Sequence, residues 1–340
     1  MRAAVCRAYG GPEVVTVEER PAPKLAAGQV RVAVRAAAVN FPDVLLVADK
    51  YQVTMAPPFV PGSEFAGEVT EVADGVVGVV VGDRVAGTVL VGAFAEEVTV
   101  GAAAVRVVPP GVDDRHAAAF GVAWRTAYHV LRSVARLQPG DELIVLGAGG
   151  GVGMAAVSLG CHLGANVTAV ASSTAKLDAA RAAGAVNLIQ HTAVELRPAL
   201  RQVLPGGADV VVDPVGGDLA EPALRSLHWG GRFVTVGYAS GGIPRIPLNL
   251  VLLKGCQVLG FQFRDFAEHC PDELRRNDDE LWDLLGKGVV SPHLGATFTL
   301  DRAAEALAMV ADGRTVGKVV LDVVPEHPLR STTVPSTLAR

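Results

Sequence analysis

Five glycines occupy seven positions, 147–153, within the run VLGAGGGVGM at 145–154. They follow a continuous apolar run at 142–147 and open a stretch of helical character at 151–164. Strand, glycine turn and helix in that order free backbone amides to face a phosphate, with the helix dipole assisting. Read in the frame Ala148, Gly150 and Gly153, the loop puts alanine where the first glycine of a dinucleotide fingerprint usually stands. Gly150 lets the backbone approach a pyrophosphate, with the amides of Gly151 and Val152 beside it. Gly153 lets the helix pack closely on the strand.

About twenty residues after such a loop, a site that prefers NAD offers Asp or Glu to the ribose 2′-hydroxyl. Residues 169–176 read AVASSTAK and contain no carboxylate. Lys176 can supply charge, and Ser172 or Ser173 a hydrogen bond, to a 2′-phosphate, which favours NADPH. The alternative is that Ser172 or Ser173 caps the next helix and Lys176 is a surface residue.

The elements that must position these groups change character along the 340 residues. Up to about residue 108, short β-branched runs broken by Gly and Pro (2–7, 14–19, 30–36, 67–72, 83–87 and 95–100) predict a small barrel or sandwich. From about 140, strands at 142–147, 166–171, 186–189, 209–213, 232–237 and 257–263 alternate with helices near 151–164, 175–183, 192–204 and 219–228. That rhythm predicts a doubly wound parallel α/β sheet. Pro198 should kink the third of these helices or delay its start. Charge returns at 264–280, a solvated loop or helix, and Asp301 is the expected N-cap of a helix at 302–311 with Gly313 as its stop. A last strand at 319–323 resumes the character of the first third, so the chain is expected to return there.

Half of the residues are hydrophobic and only 19% are charged, which excludes disorder as the main theme. The 33 residues 143–175 hold no Asp, Glu, Lys or Arg, a length that fits a membrane span. The glycine cluster inside them fits a sheet buried by its own crossover helices far better. Thirty basic against thirty-five acidic residues, in no long block of one sign, point to a small-molecule partner and to neither nucleic acid nor a membrane. No secretory signal is recognisable at the amino terminus, and four scattered cysteines suit reduced thiols, so a cytoplasmic location is expected. Residues 325–340 read as a flexible tail.

Together with the glycine loop, residues 39–43 (VNFPD) with Tyr51, 61–67 (PGSEFAG), 82–85 (GDRV), 124–127 (WRTA), 213–217 (DPVGG) and 316–321 (VGKVVL) give the chain a specific resemblance. It resembles the medium-chain dehydrogenase/reductase superfamily, and within it the zinc-independent, zeta-crystallin-like quinone oxidoreductase branch, over residues 1 to about 323. The resemblance implies a GroES-like catalytic domain at 1–122, a Rossmann NADPH-binding domain at 123–263 and a return to the catalytic domain at 264–324. The zinc enzymes of the superfamily carry a catalytic Cys and His where this sequence has Asn40 and Ser63, and a four-cysteine lobe where 88–108 has none. No metal is therefore expected.

By the same resemblance Asn40, Asp43 and Tyr51 line the acceptor cleft, with Tyr51 donating to an acceptor oxygen and Asn40 and Asp43 fixing geometry or ribose. The alternatives are that Asp43 caps a helix starting near Val44 and that Tyr51 packs under a loop. Leu45 stands where the family commonly has tyrosine. Thr126 and the loop at Gly237 and Tyr238 are expected on the nicotinamide side, Phe261 and Phe263 on the last strand at the carboxamide or in the core, and His191 and Lys318 near the adenosine phosphate. The strand at 256–263 is the expected edge for a homodimer. Hydride transfer from NADPH to a quinone is the activity this implies, since the product aromatises and the protein need mainly orient the partners. Reduction of an α,β-unsaturated carbonyl, an alkenal or enoyl thioester, and a non-catalytic NADPH-binding role are the alternatives.

Overall fold

The computed structural model describes residues 1–323, and the tail expected at 325–340 lies outside the described residues. The chain opens with β1 (Arg2–Cys6), β2 (Val15–Glu19), β3 (Gln29–Val39), α1 (Phe41–Val47), β4 (Glu64–Val72), β5 (Arg84–Thr88), β6 (Glu97–Gly101) and β7 (Val105–Val107). Two short helices, α2 (Asp114–Ala118) and α3 (Ala123–His129), lead into β8 (Glu142–Leu146), α4 (Gly151–His162), β9 (Asn166–Ala171), α5 (Thr174–Ala182), β10 (Asn187–Gln190) and α6 (Leu196–Val203). Then come β11 (Ala208–Asp213), α7 (Ala220–Arg225), β12 (Leu227–Thr235), α8 (Leu248–Lys254), β13 (Gln257–Gly260), α9 (Phe263–His269) and α10 (Pro271–Gly286). The described chain closes with β14 (Leu294–Thr299), α11 (Ala303–Ala311) and β15 (Lys318–Asp322).

Six parallel strands form one sheet in the order β10-β9-β8-β11-β12-β13, the doubly wound dinucleotide-binding arrangement. Alternate residues of each strand supply its two faces. Leu143, Val145, Val167 and Val210 enter one core, while Ile144, Leu146, Val170 and Val211 enter the other. The uncharged stretch is thus β8, α4 and β9, covered by protein on both sides. Among the described residues no helix is long and apolar enough to cross a membrane.

The second sheet has the order β14-β15-β3-β4-β5-β7, with β6 also on β3. Its strand β15 pairs antiparallel with β3, so the end of the described chain closes against its beginning. Where β3 finishes, both faces are covered: Ala37 and Val39 pack into the barrel core, Ala36 and Ala38 into the core shared with the parallel sheet. Small residues, with Ala66 and Ala86 beside them, let the two cores meet across a single layer.

Several local expectations need correction. Strand β13 stops at Gly260, so neither Phe261 nor Phe263 is on it; the Gln262 side chain accepts the Asp265 N–H at 2.7 Å and α9 starts at Phe263. Asp301 does not cap a helix. A 3-10 turn at Leu300–Arg302 intervenes, and the Asp301 carboxylate accepts from Arg2 at 3.2 Å. The charged run at 264–280 contributes to α9 and α10, and α10 buries Asn277, Asp278, Leu281, Trp282 and Leu285. Pro198 lies in the first turn of α6, which explains that helix's late start.

Helix α4 can lie on β8 only because Gly153 has no side chain. A Cβ there would stand 2.1 Å from the Gly147 carbonyl oxygen, whereas one at Gly151 would meet the flexible Lys318 stem at 3.1 Å. Gly153→Ala should therefore cost at least about 1–3 kcal/mol of stability, as overpacking does, and Gly151→Ala clearly less. Urea unfolding of both variants checks this, and equal losses would contradict it.

Candidate active site

The loop after β8 turns through Gly147, whose φ of +62° favours glycine, and whose carbonyl accepts the Gly150 N–H at 2.9 Å. Gly150 is the extended N-cap of α4 and offers no side chain to the first-turn amides, so those of Gly151 and Val152 remain available to an anion. Ala148 is fully buried and its N–H donates to the Val170 carbonyl at 3.0 Å, which ties the loop to β9.

At the carboxyl end of β9 the two serines divide the roles proposed for them. Ser173 is the N-cap of α5, its Oγ accepting the Lys176 N–H at 3.4 Å. Ser172 Oγ accepts from Lys176 Nζ at 3.1 Å, and the same ammonium donates to the Gly313 carbonyl at 2.6 Å. The Lys176 stem lies along Gly149, where a Cβ would meet it at 2.5 Å. Burial lowers the Lys176 pKa, and burial followed by the Lys176 charge lowers that of His191. His191 borders a cleft of about 580 Å³ that also involves Thr192, Pro198, Asp218 and Pro222, beyond the carboxyl ends of β10 and β11.

Five polar side chains, among them Asn40 and Asp43 of the expected acceptor cleft, meet at the end of β3. Asn40 is the N-cap of α1 and only 7% exposed. Its Nδ2 donates to Glu64 Oε1 at 2.9 Å and Ser63 Oγ at 3.2 Å, while its Oδ1 accepts from Lys318 Nζ at 2.6 Å. Lys318 Nζ also pairs with Glu64 Oε1 at 2.5 Å, and Glu64 Oε2 accepts the Val122 N–H at 2.8 Å, one residue before α3. Lys318 is 4% exposed, so it corrects the expectation of a phosphate contact: its ammonium is already engaged. Its stem runs beside Gly151 and so links the glycine loop to this cluster.

Asp43, fully buried, accepts the Asn40 N–H on Oδ2 at 2.7 Å, the acid half of a capping box. Asp43 therefore does not cap a helix near Val44: α1 begins at Phe41 with Asn40 as its N-cap, and Asp43 is the third helical residue, bonding back to that cap. Burial pushes the Asp43 pKa up to about 7, against the Asn40 N–H, the Ser63 hydroxyl and the Lys318 charge, which favour the anion. Tyr51 is half-buried against the barrel core, and burial and the Asp43 charge raise its pKa.

Other expected residues are dispersed. Thr126 is half-buried on α3. Gly237 and Tyr238 follow β12, and the Tyr238 ring covers Gly216, where a Cβ would meet it at 2.8 Å. The rings of Phe261 and Phe263 pack on His129 at 6.3 and 5.6 Å, with the Arg125 guanidinium 4.6 Å above Phe263. Below them Asp278 binds Arg125 at 2.6 and 2.8 Å. Burial would raise its pKa, but hydrogen bonds and charge from His129 and Arg125 hold it at about 2.

The motif readings did not single out Glu64, which sits at the centre of the Asn40 cluster. Asp213 is buried at the end of β11, where Oδ1 accepts from the Val215 and Gly216 amides at 2.9 and 2.8 Å. The available signal for Glu64 was a carboxylate directly before the apolar run Phe65–Gly67 at the start of β4, an arrangement that burial makes costly unless the charge is paired.

Residues 26–110 match the alcohol dehydrogenase GroES-like domain family, and residues 151–278 the family described as zinc-binding dehydrogenase. A quinone oxidoreductase-like protein 2 homolog of Nematostella vectensis is 36% identical over 325 residues, covering 94% of this chain and 88% of that protein. The Escherichia coli quinone oxidoreductase in complex with NADPH superposes with a TM-score of 0.89 at 26% identity, over 95% of this chain and all of that one. An NAD-dependent alcohol dehydrogenase superposes with a TM-score of 0.87 at 30% identity, over 95% of this chain and 100% of that one.

The zinc implied by one family description does not fit the residues present. The cluster offers an amide, a hydroxyl and a carboxylate already paired with an ammonium, not the thiolate and imidazole donors of a tetrahedral site. Among the described residues no group of three or more His, Cys, Asp or Glu is placed to hold a metal ion.

Removing the Lys318 ammonium leaves Glu64 buried and unpaired. Lys318→Met should cost about 3–5 kcal/mol, and Lys318→Met combined with Glu64→Gln should recover much of that loss. Urea unfolding measures both, and a single variant as stable as wild type would contradict the pairing.

Proposed function

Because the chain belongs to the quinone oxidoreductase branch of the medium-chain dehydrogenase/reductase superfamily, we propose that this oxidoreductase is an NADPH-dependent quinone reductase that works without zinc. The observation that carries the coenzyme choice is the Lys176 ammonium on Ser172 at the end of β9, where a site for NAD would present a carboxylate. The two structural likenesses, one in complex with NADPH and one described as NAD-dependent, leave that choice to these residues.

The amides of Gly151 and Val152 at the start of α4 would hold the pyrophosphate, and Lys176 with Ser172 the 2′-phosphate. The cleft beside His191 would take the adenosine. Thr126, Gly237 and Tyr238 would border the nicotinamide, and Phe261 and Phe263 would support that side by packing against α3. When bound, NADPH supplies a hydride equivalent to an electron-poor acceptor. The protein's part is to orient the acceptor over a dry floor made by the Asn40 cluster and to offer the Tyr51 hydroxyl, which has no protein partner among the described residues, to its oxygen.

We further propose a homodimer through the edge of the parallel sheet. Strand β13 is its last strand, and nearby Trp229, Leu248, Leu252 and Leu253 are 73–80% exposed, an apolar patch that partner coverage would explain. Four free cysteines, two of them buried, support a reducing compartment such as the cytoplasm.

Purified protein mixed with NADPH should oxidise it on addition of 1,4-benzoquinone and more slowly on addition of an alkenal; faster turnover of the alkenal would favour enone reduction, and no turnover of either would sink the enzymatic reading. Lys176→Ala should weaken NADPH binding by about 1.5–3 kcal/mol and leave NADH binding nearly unchanged, measured by coenzyme fluorescence. Equal losses for the two coenzymes would place the 2′-phosphate elsewhere. Light scattering should give twice the chain mass, falling to one chain mass in Leu248→Glu/Leu252→Glu; a monomeric wild type would contradict the dimer.

A further inference from the structure

We propose that Gly313, in the strap that joins α11 to β15, is a positioning residue for coenzyme choice: its backbone carbonyl holds the Lys176 ammonium where the 2′-phosphate of NADPH is recognised. The inference rests on the reading that Lys176 and Ser172 take that phosphate. Coenzyme choice is then shared between the two halves of the molecule, since Lys176 stands on α5 of the parallel-sheet half and Gly313 on the chain returning to the barrel.

A lysine ammonium carries three hydrogens on a flexible four-carbon stem, and fixing that stem on a ligand costs side-chain entropy. Here two of the three hydrogens are already placed. One goes to Ser172 Oγ at 3.1 Å, the other to the Gly313 carbonyl at 2.6 Å, 137 positions along the chain. Both acceptors are neutral, and among the described residues no carboxylate pairs with Lys176. Asp312, beside the carbonyl, is taken by Arg314 at 2.9 Å. Burial lowers the Lys176 pKa with no opposing charge to restore it. The third hydrogen and the whole positive charge are left for an anion.

The turn that ends α11 puts the carbonyl in place. The Gly313 N–H donates to the Val310 carbonyl at 3.1 Å and the Arg314 N–H to the Met309 carbonyl at 3.2 Å, a Schellman closure with Gly313 at its left-handed position, φ +61°. Further on, the Gly317 N–H donates to the Gly149 carbonyl at 2.8 Å. The Lys176 stem lies along that same Gly149, where a Cβ would meet it at 2.5 Å. The strap is thus seated on the glycine loop at one end and on the ammonium at the other. A Cβ on Gly313 would meet nothing within 4 Å, so a substitution there acts through the backbone angle and not through a clash. Asparagine adopts that angle readily, and a β-branched residue does not.

The test is the ratio of NADH to NADPH dissociation constants, read by coenzyme fluorescence in the full chain. Gly313→Val should displace the carbonyl and weaken NADPH about tenfold, with NADH binding unchanged as the sign that the variant is folded. Gly313→Ala, under less strain, should lie between Gly313→Val and wild type, and Gly313→Asn should keep the wild-type ratio. In a Lys176→Ala background Gly313→Val should leave the ratio as it is, because the ammonium it positions is gone. Equal losses for both coenzymes in Gly313→Val and Gly313→Ala, an unchanged ratio in both, or the same loss of ratio with and without Lys176 overturns the role of the strap alone. A wild type that binds NADH as tightly as NADPH, or Lys176→Ala that keeps the preference, overturns the reading beneath it.

Discussion

The Lys318 ammonium lies out of water between Asn40 Oδ1 and Glu64 Oε1, and the rest of the site is arranged around that charge. Desolvating two ions costs several kcal/mol each, so such a pair persists only where hydrogen bonds satisfy what remains. Here they do. Lys318 adds a longer bond to the Val39 carbonyl, and Glu64 takes the Asn40 amide on one oxygen and the Val122 N–H on the other. Through those contacts β15, β3, β4 and the entry to α3 are fixed to one another. The Lys318 stem beside Gly151 extends the same constraint to the glycine loop.

One ammonium shared among two buried carboxyl groups has an electrostatic consequence. Glu64 holds the direct contact, and Asp43 is left with a backbone amide, a hydroxyl and a more distant positive charge. Those favour the anion less than burial disfavours it. The cluster therefore contains a group that changes charge near neutrality. The contrast with Asp278 is instructive. It is also buried, yet a bidentate Arg125 and His129 hold its pKa at about 2, so it stays ionised and anchors α3 to α10.

Local signals made much of this visible in the sequence. The glycine loop, the missing carboxylate after β9 and the order of β and β/α segments depend on neighbours within about one supersecondary unit, and each appears in the fold where expected. The buried Asn40–Glu64–Lys318 cluster did not. Glu64 and Lys318 lie 254 positions apart and meet only because β15 returns to β3 and β3 pairs with β4. A lysine in VGKVVL reads equally well as a surface phosphate ligand until that register is known. Phe263 was misplaced for a smaller reason: an apolar run continues past Gly260, but the Gln262 cap redirects it into a helix.

The central claim is that one buried ammonium, committed to Glu64, leaves Asp43 as a buried carboxyl group that takes up a proton near neutrality. The most direct measurement is the infrared difference spectrum between wild type and Asp43→Asn, followed across pH. A protonated carboxyl signal that belongs to Asp43 and disappears with a midpoint near pH 7 is the expected result. An Asp43 that is ionised throughout the range from about pH 5 upward, as an ordinary aspartate would be, would contradict it.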